Sequence, residues 1–412
     1  MLKIVHPICC GIDVHKTFVV ACIATTNDKS ITTYQIKRFS TYTKNLQQLA
    51  QWLLQNNCKD VCMESTGKYW IPVFNILEST CNVVLAHPKY LKAIRGKKTD
   101  KKDSKWIADV FKHDLVSGSF IPPADIRQLR DLMRYRFKLT NIMTGEKNRT
   151  QNSLTVSNIQ LANSFSDIFG KSATKILNHI LENPNDKDFD IGTMIHKGCK
   201  TSIEEIQMSV EGKITPEQSA KIKVILQHLD VLELCRHNLE TSIFALSNPY
   251  QEKLNLISSV PGIKDFSAIA VLSEIGSDMS VFQTAKHLCS WAGVAPQCNE
   301  SGGKKKSSRV SRAGAYIKPL LVQCANAAVK SNKYPEIKNR YLSIKKRRGH
   351  KKAIVAIARI LLTAIWHILS KNEPYNAELY RKIDVSPLDY ERQAILLLQK
   401  RGFTVTAPPV CA

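Results

Sequence analysis

Short apolar strand patterns alternate with helix patterns along residues 1–122, and this alternation constrains the fold more than any other feature of the chain. Strands are predicted at residues 8–23, 32–39, 60–64 and 82–86, and helices at residues 43–56, 69–78, 89–95 and 104–113. Such alternation is typical of an α/β unit, in which helices cover the faces of a sheet. In sheets of this kind, ligand sites gather near the ends of strands.

Four acidic residues of this region lie at positions where a negative charge would need a cation beside it. Asp13 is inside the first apolar strand and Glu64 ends the third, while Asp100 and Asp103 begin a helix on one face. Carboxylates beside apolar strands are costly unless a cation neutralises them. Hard oxygen ligands suit Mg²⁺ or Mn²⁺, and paired ions can hold both reacting oxygens of a phosphodiester. A metal-dependent nuclease or phosphoryl-transfer site is one interpretation; an unrelated scatter of acids is the other.

Cations surround two of these acids, since Lys98, Lys101 and Lys102 flank Asp100 and Asp103. This arrangement fits a site that handles both a metal and a phosphate, so the three lysines are candidate nucleic-acid contacts. His15 follows Asp13 by two residues and would share its strand face. We interpret it as a packing residue rather than a group that supports the acids.

The formal net charge of +24 indicates contact with nucleic acid or with an anionic membrane surface. We favour nucleic acid, because no amphipathic anchor with aromatic residues on one face is evident. The apolar run at residues 353–369 contains Arg359 and His367, so we predict a buried core helix. No secretion signal is evident, which favours the bacterial cytoplasm, in association with the nucleoid. The twelve cysteines include no CxxC pair, so reduced thiols are expected rather than zinc ligands.

A long helix is predicted at residues 216–246, within a helical middle region at residues 123–250. Its apolar residues follow alternating spacings of three and four, which is the seam of a coiled coil: Ile222, Ile225, Leu229, Leu232, Leu239, Ile243 and Leu246. An amphipathic helix packed within its own domain is the alternative. Residues 153–215 give no clear pattern.

The region at residues 251–372 begins with a helix-hairpin-helix pattern, in which Gly262 lies in the turn between two helices. Such a turn presents free N–H groups suited to a phosphate, although an ordinary helix–helix turn has the same sequence pattern. A polar basic loop follows at residues 295–312. Its candidate nucleic-acid contacts are Lys304, Lys305, Lys306, Arg309 and Arg312.

Ser301 is the candidate nucleophile of this loop, because two glycines follow it and would let a phosphate approach closely. A serine hydroxyl needs a base or a metal to activate it. On residue chemistry alone, a solvated loop with ordinary serines is the stronger interpretation. The last segment, residues 373–412, is predicted to be peripheral.

Several motifs together resemble those of the DEDD transposases of bacterial insertion sequences. In order along the chain, these motifs are GIDVHK at residues 11–16, MESTG at 63–67, KTDKKD at 98–103, VPGI at 260–263, WAGVAP at 291–296 and SGGK at 301–304. The resemblance covers roughly residues 8–120 and 254–370. It implies an RNase H-like fold, similar to Holliday-junction resolvases, for residues 1–122.

The resemblance also implies roles for individual residues. Asp13, Glu64, Asp100 and Asp103 would bind Mg²⁺ or Mn²⁺, and Ser301 would be the nucleophile. Enzymes of this family are recombinases guided by a structured RNA from their own element. They form dimers, with tetramers also possible, in which the acids of one chain meet the serine of another. The middle coiled coil would then hold the dimer.

The sequence therefore predicts a DNA transposase or site-specific recombinase that cleaves and transfers DNA strands. Two alternatives stay open. A Holliday-junction or structure-specific nuclease would use activated water in place of the serine. A non-catalytic nucleic-acid-binding scaffold would not need the acids at all.

Overall fold

The computed structural model describes residues 2–88, 91, 99–184, 186, 189–297, 299–307, 309–378, 394–399 and 401–405. Contacts divide the chain into two units, Met1–Pro122 and Pro123–Ala412, which we call unit 1 and unit 2. The helix predicted at residues 89–95 lies outside the described residues, apart from residue 91.

Unit 1 is built on a mixed five-stranded sheet. Its strands are β1 (Ile8–Val14), β2 (Phe18–Thr26), β3 (Thr32–Ser40), β4 (Asp60–Glu64) and β5 (Asn82–Ala86). The order across the sheet is β3-β2-β1-β4-β5. The β1–β2 and β2–β3 pairs are antiparallel, and the β1–β4 and β4–β5 pairs are parallel.

The prediction of one strand over residues 8–23 is wrong. That stretch contains a hairpin, in which Val14 lies opposite Val19. The polar residues His15, Lys16 and Thr17 separate β1 from β2. An apolar run of this length exceeds the usual strand of about five or six residues, and its polar interruption allows the chain to reverse.

Helices cover both faces of the sheet, because successive strand residues point to opposite sides. The helices are α1 (Thr43–Gln55), α2 (Trp70–Leu77) and α3 (Asp100–Lys112). Residues of α1 and α2 share a core with Ile12 and Met63. Residues of α3 share a second core with Cys9 and Cys62. The predicted α/β architecture of this region is confirmed.

Unit 2 is mostly helical. Its helices are α4 (Ala124–Val156), α5 (Leu161–Ser164), α6 (Lys171–Glu182), α7 (Ile203–Ser209), α8 (Pro216–Ser247), α9 (Gln251–Ser258), α10 (Asp265–Ile275), α11 (Ala285–Trp291), α12 (Ile317–Lys330), α13 (Pro335–Arg348) and α14 (His350–Lys371). Two short strands, β6 (Asn299–Ser301) and β7 (Lys304–Ser307), form a hairpin. Short 3₁₀ turns occupy Ile191–Thr193 and Asn248–Tyr250.

The seam of α8 packs inside its own chain. Ile225, Leu229 and Leu232 form one core with Leu139 and Met143 of α4. Ile222 joins a separate core with residues 154–214. The alternative of an amphipathic helix within its own domain therefore describes this seam, and its buried positions are not available to a second chain.

The apolar helix α14 packs on several neighbours, with α9, α11, α12 and α13 in contact with it. Among the described residues it is the one helix long and apolar enough to cross a membrane, judged by length and composition alone. Half of its apolar window is buried against protein. This packing agrees with the predicted core helix.

The predicted helix pair around Gly262 consists of α9 and α10. Gly262 has φ +78°, and a Cβ at this position would lie 2.2 Å from the carbonyl oxygen of Cys324 in α12. A side chain cannot fit there, so the glycine is required for close packing on α12. This packing gives the glycine a structural role, and its predicted nucleic-acid contact stays a prediction.

Candidate metal centre and serine hairpin

A glycine in β1 brings α3 directly onto the sheet. A Cβ on Gly11 would lie 2.3 Å from both the carbonyl oxygen of Ser104 and the backbone nitrogen of Ala108. The backbone of α3 therefore crosses over this residue at a distance that only glycine permits. Asp13 lies two residues further along the same face of β1, and Asp100 lies one helical turn before Ser104. The crossing brings the start of α3 to the end of β1.

Three side chains converge at this point. His15 Nε2 lies 3.2 Å from Asp13 Oδ2 and 3.5 Å from Asp100 Oδ1. One ligand atom from each of the three residues falls within 4.8 Å of the others, as the donors of one metal ion require. Asp13 is buried and Asp100 is exposed, so the cluster opens to solvent on one side.

The electrostatics of the cluster favour a cation. Burial raises the pKa of Asp13, and Asp103 and Asp100 raise it further, while His15 lowers it. His15 Nε2 is itself buried and lies between the two carboxylates, 3.2 Å from that of Asp13. Two carboxylates and an imidazole nitrogen are donors that a divalent metal accepts. The cluster is thus compatible with a divalent ion.

Glu64 and Asp103 lie near this cluster but outside the three-residue group. Ile12 of β1 pairs with Met63 of β4, so Asp13 and Glu64 occupy the next positions on adjacent parallel strands. Glu64 accepts a 3.5 Å hydrogen bond from the Thr66 hydroxyl. Asp103 is close enough to raise the pKa of Asp13.

The predicted role of His15 as a packing residue is incomplete. Its ring does pack against Phe18, with 4.5 Å between centroids, but its Nε2 faces the two aspartates. The residue lies in the turn after β1, and a single-strand interpretation could not show that its ring turns back to Asp13. A histidine beside an acid at a strand end was the available signal.

Three lysines near the start of α3 are predicted nucleic-acid contacts, and two of them lie among the described residues. Lys101 and Lys102 are exposed on the first turn of α3, while Lys98 lies outside the described residues. Thr99 caps this helix by accepting a hydrogen bond from the Lys102 backbone nitrogen.

Ser301 lies in unit 2, at the end of β6. The Gly302 and Gly303 backbones have φ values of +59° and +72°, as a two-residue hairpin turn requires. Apart from the glycine itself and its chain neighbours, no atom of the described residues lies within 4 Å of where a Cβ would sit on either glycine. The predicted loop is thus a hairpin with an open tip.

The side chains of Ser301, Lys304, Lys305 and Lys306 lie outside the described part of the hairpin, whose backbone is described. Arg309 and Arg312 are exposed beyond β7.

Two family models match the chain. A DEDD transposase model of the IS110 type matches residues 10–159, and the model of the IS116/IS110/IS902 transposase family matches residues 254–342. Together these regions exceed half of the 412 residues. The chain belongs to the IS110 family of transposases. All four predicted metal-binding acids lie in the first matched region, and Ser301 lies in the second.

Relatives of this IS110-family chain include mobile-element and inversion proteins. The transposase for insertion sequence element IS1111A of Coxiella burnetii is 23% identical over 192 residues, 45% of this chain and 52% of that protein. The pilin gene-inverting protein of Moraxella bovis is 30% identical over 148 residues, 34% of this chain and 45% of that protein. The chain spans about half the length of these relatives.

Proposed function

We propose that this chain is a transposase or site-specific recombinase that cleaves and rejoins the DNA strands of a mobile element. The observation that carries the proposal is the convergence of Asp13, His15 and Asp100 where α3 crosses β1. Family membership supports it, because the relatives include an insertion-sequence transposase and a gene-inverting protein.

The metal of this proposal is Mg²⁺ or Mn²⁺, held by Asp13, Glu64, Asp100 and Asp103. When bound, such an ion would polarise a DNA phosphate and lower the pKa of a bound hydroxyl. Asp13 supplies a carboxylate from the sheet, and α3 presents Asp100 and Asp103 from above it. The strand order β3-β2-β1-β4-β5, with acids at the ends of β1 and β4, supports an RNase H-like fold for unit 1.

The nucleophile of this proposal is Ser301. Its oxygen forms a bond to phosphorus as the bond from phosphorus to a deoxyribose oxygen breaks, and the hydroxyl proton passes to solvent or a base. The open glycine tip of the hairpin supports this role, since a DNA backbone can approach it closely. The exposed Arg309 and Arg312 would stabilise charge on the phosphate.

The partners of this proposal are DNA, a structured guide RNA and a second copy of the chain, in a dimer or tetramer. The formal charge of +24 supports contact with polyanions. Cleavage would take place in the bacterial cytoplasm, where the element and its transcripts are found together.

An excision assay in cells tests both parts of the site. We expect Asp13→Asn and Ser301→Ala each to reduce excision at least ~1,000-fold, the scale on which removing a catalytic group acts. Matched controls are Asp114→Asn in the turn that follows α3 and Ser307→Ala in the same hairpin, which should retain activity. Excision by both site variants at the level of the controls would refute the assignment.

Trapping separates the proposal from a nuclease that uses water. Denaturing gels of the wild-type protein with labelled element ends should show a covalent protein–DNA adduct that Ser301→Ala lacks. Metal-dependent cleavage without any adduct supports the nuclease, and an absence of cleavage with intact binding supports a non-catalytic scaffold.

A further inference from the structure

The most cationic stretch of unit 2 contains no acids. Between Glu336 and Glu373 the sequence has ten Lys and Arg residues and no Asp or Glu. Six of the ten flank the turn between α13 and α14: Lys345, Lys346, Arg347, Arg348, Lys351 and Lys352. We call these six residues the basic turn.

The basic turn is held in place by its neighbours. Gly349 adopts φ +79° between the two helices, and Tyr341 hydrogen bonds to His350 across them at 2.9 Å. Tyr341 is buried, so this link ties the turn to the core of the helix pair. The cations therefore lie on two packed helices rather than on an unstructured segment.

All six side chains of the basic turn are exposed, and within the described part of the chain none of them forms an ion pair. Lys345 lies 5.7 Å from the centre of the Tyr341 ring, and among the described residues the other five have no aromatic ring beneath them. An unneutralised cluster of this density repels itself, so folding alone does not account for it.

Helix electrostatics separate two halves of the basic turn. Lys345 to Arg348 occupy the last turn of α13, where cations stabilise the negative end of a helix. Lys351 and Lys352 occupy the first turn of α14, where cations are unfavourable and no acid offsets them. The second pair therefore opposes helix stability, which points to a ligand rather than to a structural purpose.

We propose that the basic turn binds the phosphate backbone of a nucleic acid without reading its sequence. This inference rests on the proposed function, in which nucleic acid is the substrate, and it names a contact surface outside the catalytic candidates. Six clustered cations match a row of backbone phosphates, and such contacts release counterions. An anionic lipid surface is the other polyanion that such a cluster could meet, but α14 buries its apolar face against protein.

The test uses the full-length chain without metal, labelled duplex DNA and labelled RNA, and fluorescence anisotropy over a series of salt concentrations. The patch variant changes all six residues to Gln. Its matched control removes six exposed cations elsewhere in unit 2: Lys171, Lys175, Lys197, Lys200, Lys221 and Lys223. Both variants have the same net charge.

We expect the patch variant to bind at least ~100-fold more weakly in moderate salt. The slope of log affinity against log salt should become shallower by about 3 to 5, at roughly 0.9 for each lost phosphate contact. The control should stay within about threefold of wild type. A patch variant with the wild-type slope, or a control with an equal loss, overturns the inference.

Two further measurements keep the test decisive. The variant Lys351→Gln/Lys352→Gln should bind several-fold more weakly while its melting temperature stays equal or rises; a fall in both would indicate a structural role. Vesicles containing phosphatidylserine test the lipid alternative, and loss of vesicle binding alone would overturn the inference. If wild type binds neither DNA nor RNA, the proposed function itself fails.

Discussion

Asp13 shows at the scale of one residue how a site can oppose the stability of its own fold. Burial raises its pKa, so the unfolded chain ionises this carboxylate at a lower pH than the folded chain does. Below the ordinary pKa of about 3.9 the carboxyl is protonated in both states and carries no penalty. As pH rises towards the pKa of the folded state, the unfolded chain ionises first, and the folded state loses stability relative to it. Above the folded value the full penalty persists unless a cation is present.

We therefore expect Asp13→Asn to stabilise the metal-free protein at pH 7 by about 1 kcal/mol, the usual scale of a single-site effect. The gain should shrink towards pH 4. Excess Mg²⁺ should raise the melting temperature of wild type but not of the variant. Thermal unfolding at both pH values, with chelator and with Mg²⁺, measures all of these effects, and a variant less stable than wild type at pH 7 would contradict the argument.

His15 bears on which ion the cluster prefers. An imidazole nitrogen suits Mn²⁺ better than Mg²⁺, which favours oxygen donors. We expect His15→Gln to lower Mn²⁺ affinity about 10-fold, with a smaller effect on Mg²⁺. Calorimetric titration with each ion measures the ratio. His113→Gln at the other end of α3 is the matched control, and an equal change for both ions in His15→Gln would exclude direct ligation.

Residue chemistry could suggest Asp13 from the sequence, because a carboxylate inside an apolar strand needs compensation. It could not suggest that Asp100 lies beside His15, since that proximity arises from the crossing of α3 over Gly11. The position of His15 in a turn was also hidden, because apolar residues on both sides made two strands look like one.

At the scale of elements, the contact between α3 and β1 depends on Gly11. A methyl group there would overlap the α3 backbone, which has no flexible side-chain end to move aside. We expect Gly11→Ala to cost about 2–3 kcal/mol, as overpacking does, and to displace the start of α3 from Asp13. Thermal unfolding and Mn²⁺ titration should both show the loss.

Gly145→Ala in α4 is the control for this substitution, because its added Cβ meets nothing closer than 3.7 Å. It should be neutral or stabilising by up to about 1 kcal/mol, since alanine favours helix. Unchanged stability and metal affinity in Gly11→Ala would show that α3 can move without cost.

A second contact between elements joins α4 to α10. Arg134 donates hydrogen bonds of 2.7 and 2.8 Å to the carboxylate of Glu274, and Arg130 donates to the Ser273 and Glu274 carbonyl oxygens. Glu274 is buried, and burial lowers the pKa of Arg130 to about 10. Two guanidinium groups thus depend on one carboxylate.

We expect Glu274→Ala to destabilise unit 2 by about 2–3 kcal/mol, because it removes a buried carboxylate that accepts charged hydrogen bonds from a partly exposed arginine. Denaturant unfolding measures the change. Glu252→Ala, an exposed acid on α9, should leave the midpoint unchanged. A similar small effect for both substitutions would mean that water reaches the arginines.

Element types followed from sequence periodicity more reliably than element partners did. The 3–4 spacing in α8 correctly predicted a long helix, and five of the seven predicted seam residues are buried. Spacing alone cannot say whether such a seam meets a second chain or another helix of the same chain. The partner is α4, which contributes Leu139 and Met143 to the shared core. In the sequence these apolar residues are interspersed with many charged ones, so the pairing was not evident.

At the scale of the whole molecule, the first matched region ends at residue 159 and the second begins at residue 254. Much of the unmatched interval lies between α4 and α8, and its hydrophobic core, which includes Ile176 and Leu177, also contains Leu154 of α4 and Ile222 of α8. The apolar residues of this segment are spread over several short helices, so the sequence shows no single periodic pattern that would have predicted its fold.

The proposed acids belong to unit 1 and the proposed serine to unit 2, and the proposed reaction uses acids and serine either from one chain or from two. Mixing two inactive variants distinguishes these cases. If the acids of one chain act with the serine of another, Asp13→Asn and Ser301→Ala should each be inactive alone but regain excision when co-expressed. A mixed dimer then contains one intact combination of acids and serine. The double variant co-expressed with Ser301→Ala is the control, since it offers no intact serine. Co-purification of differently tagged variants establishes that mixed assemblies form, and their inactivity would place the acids and the serine of each site on one chain.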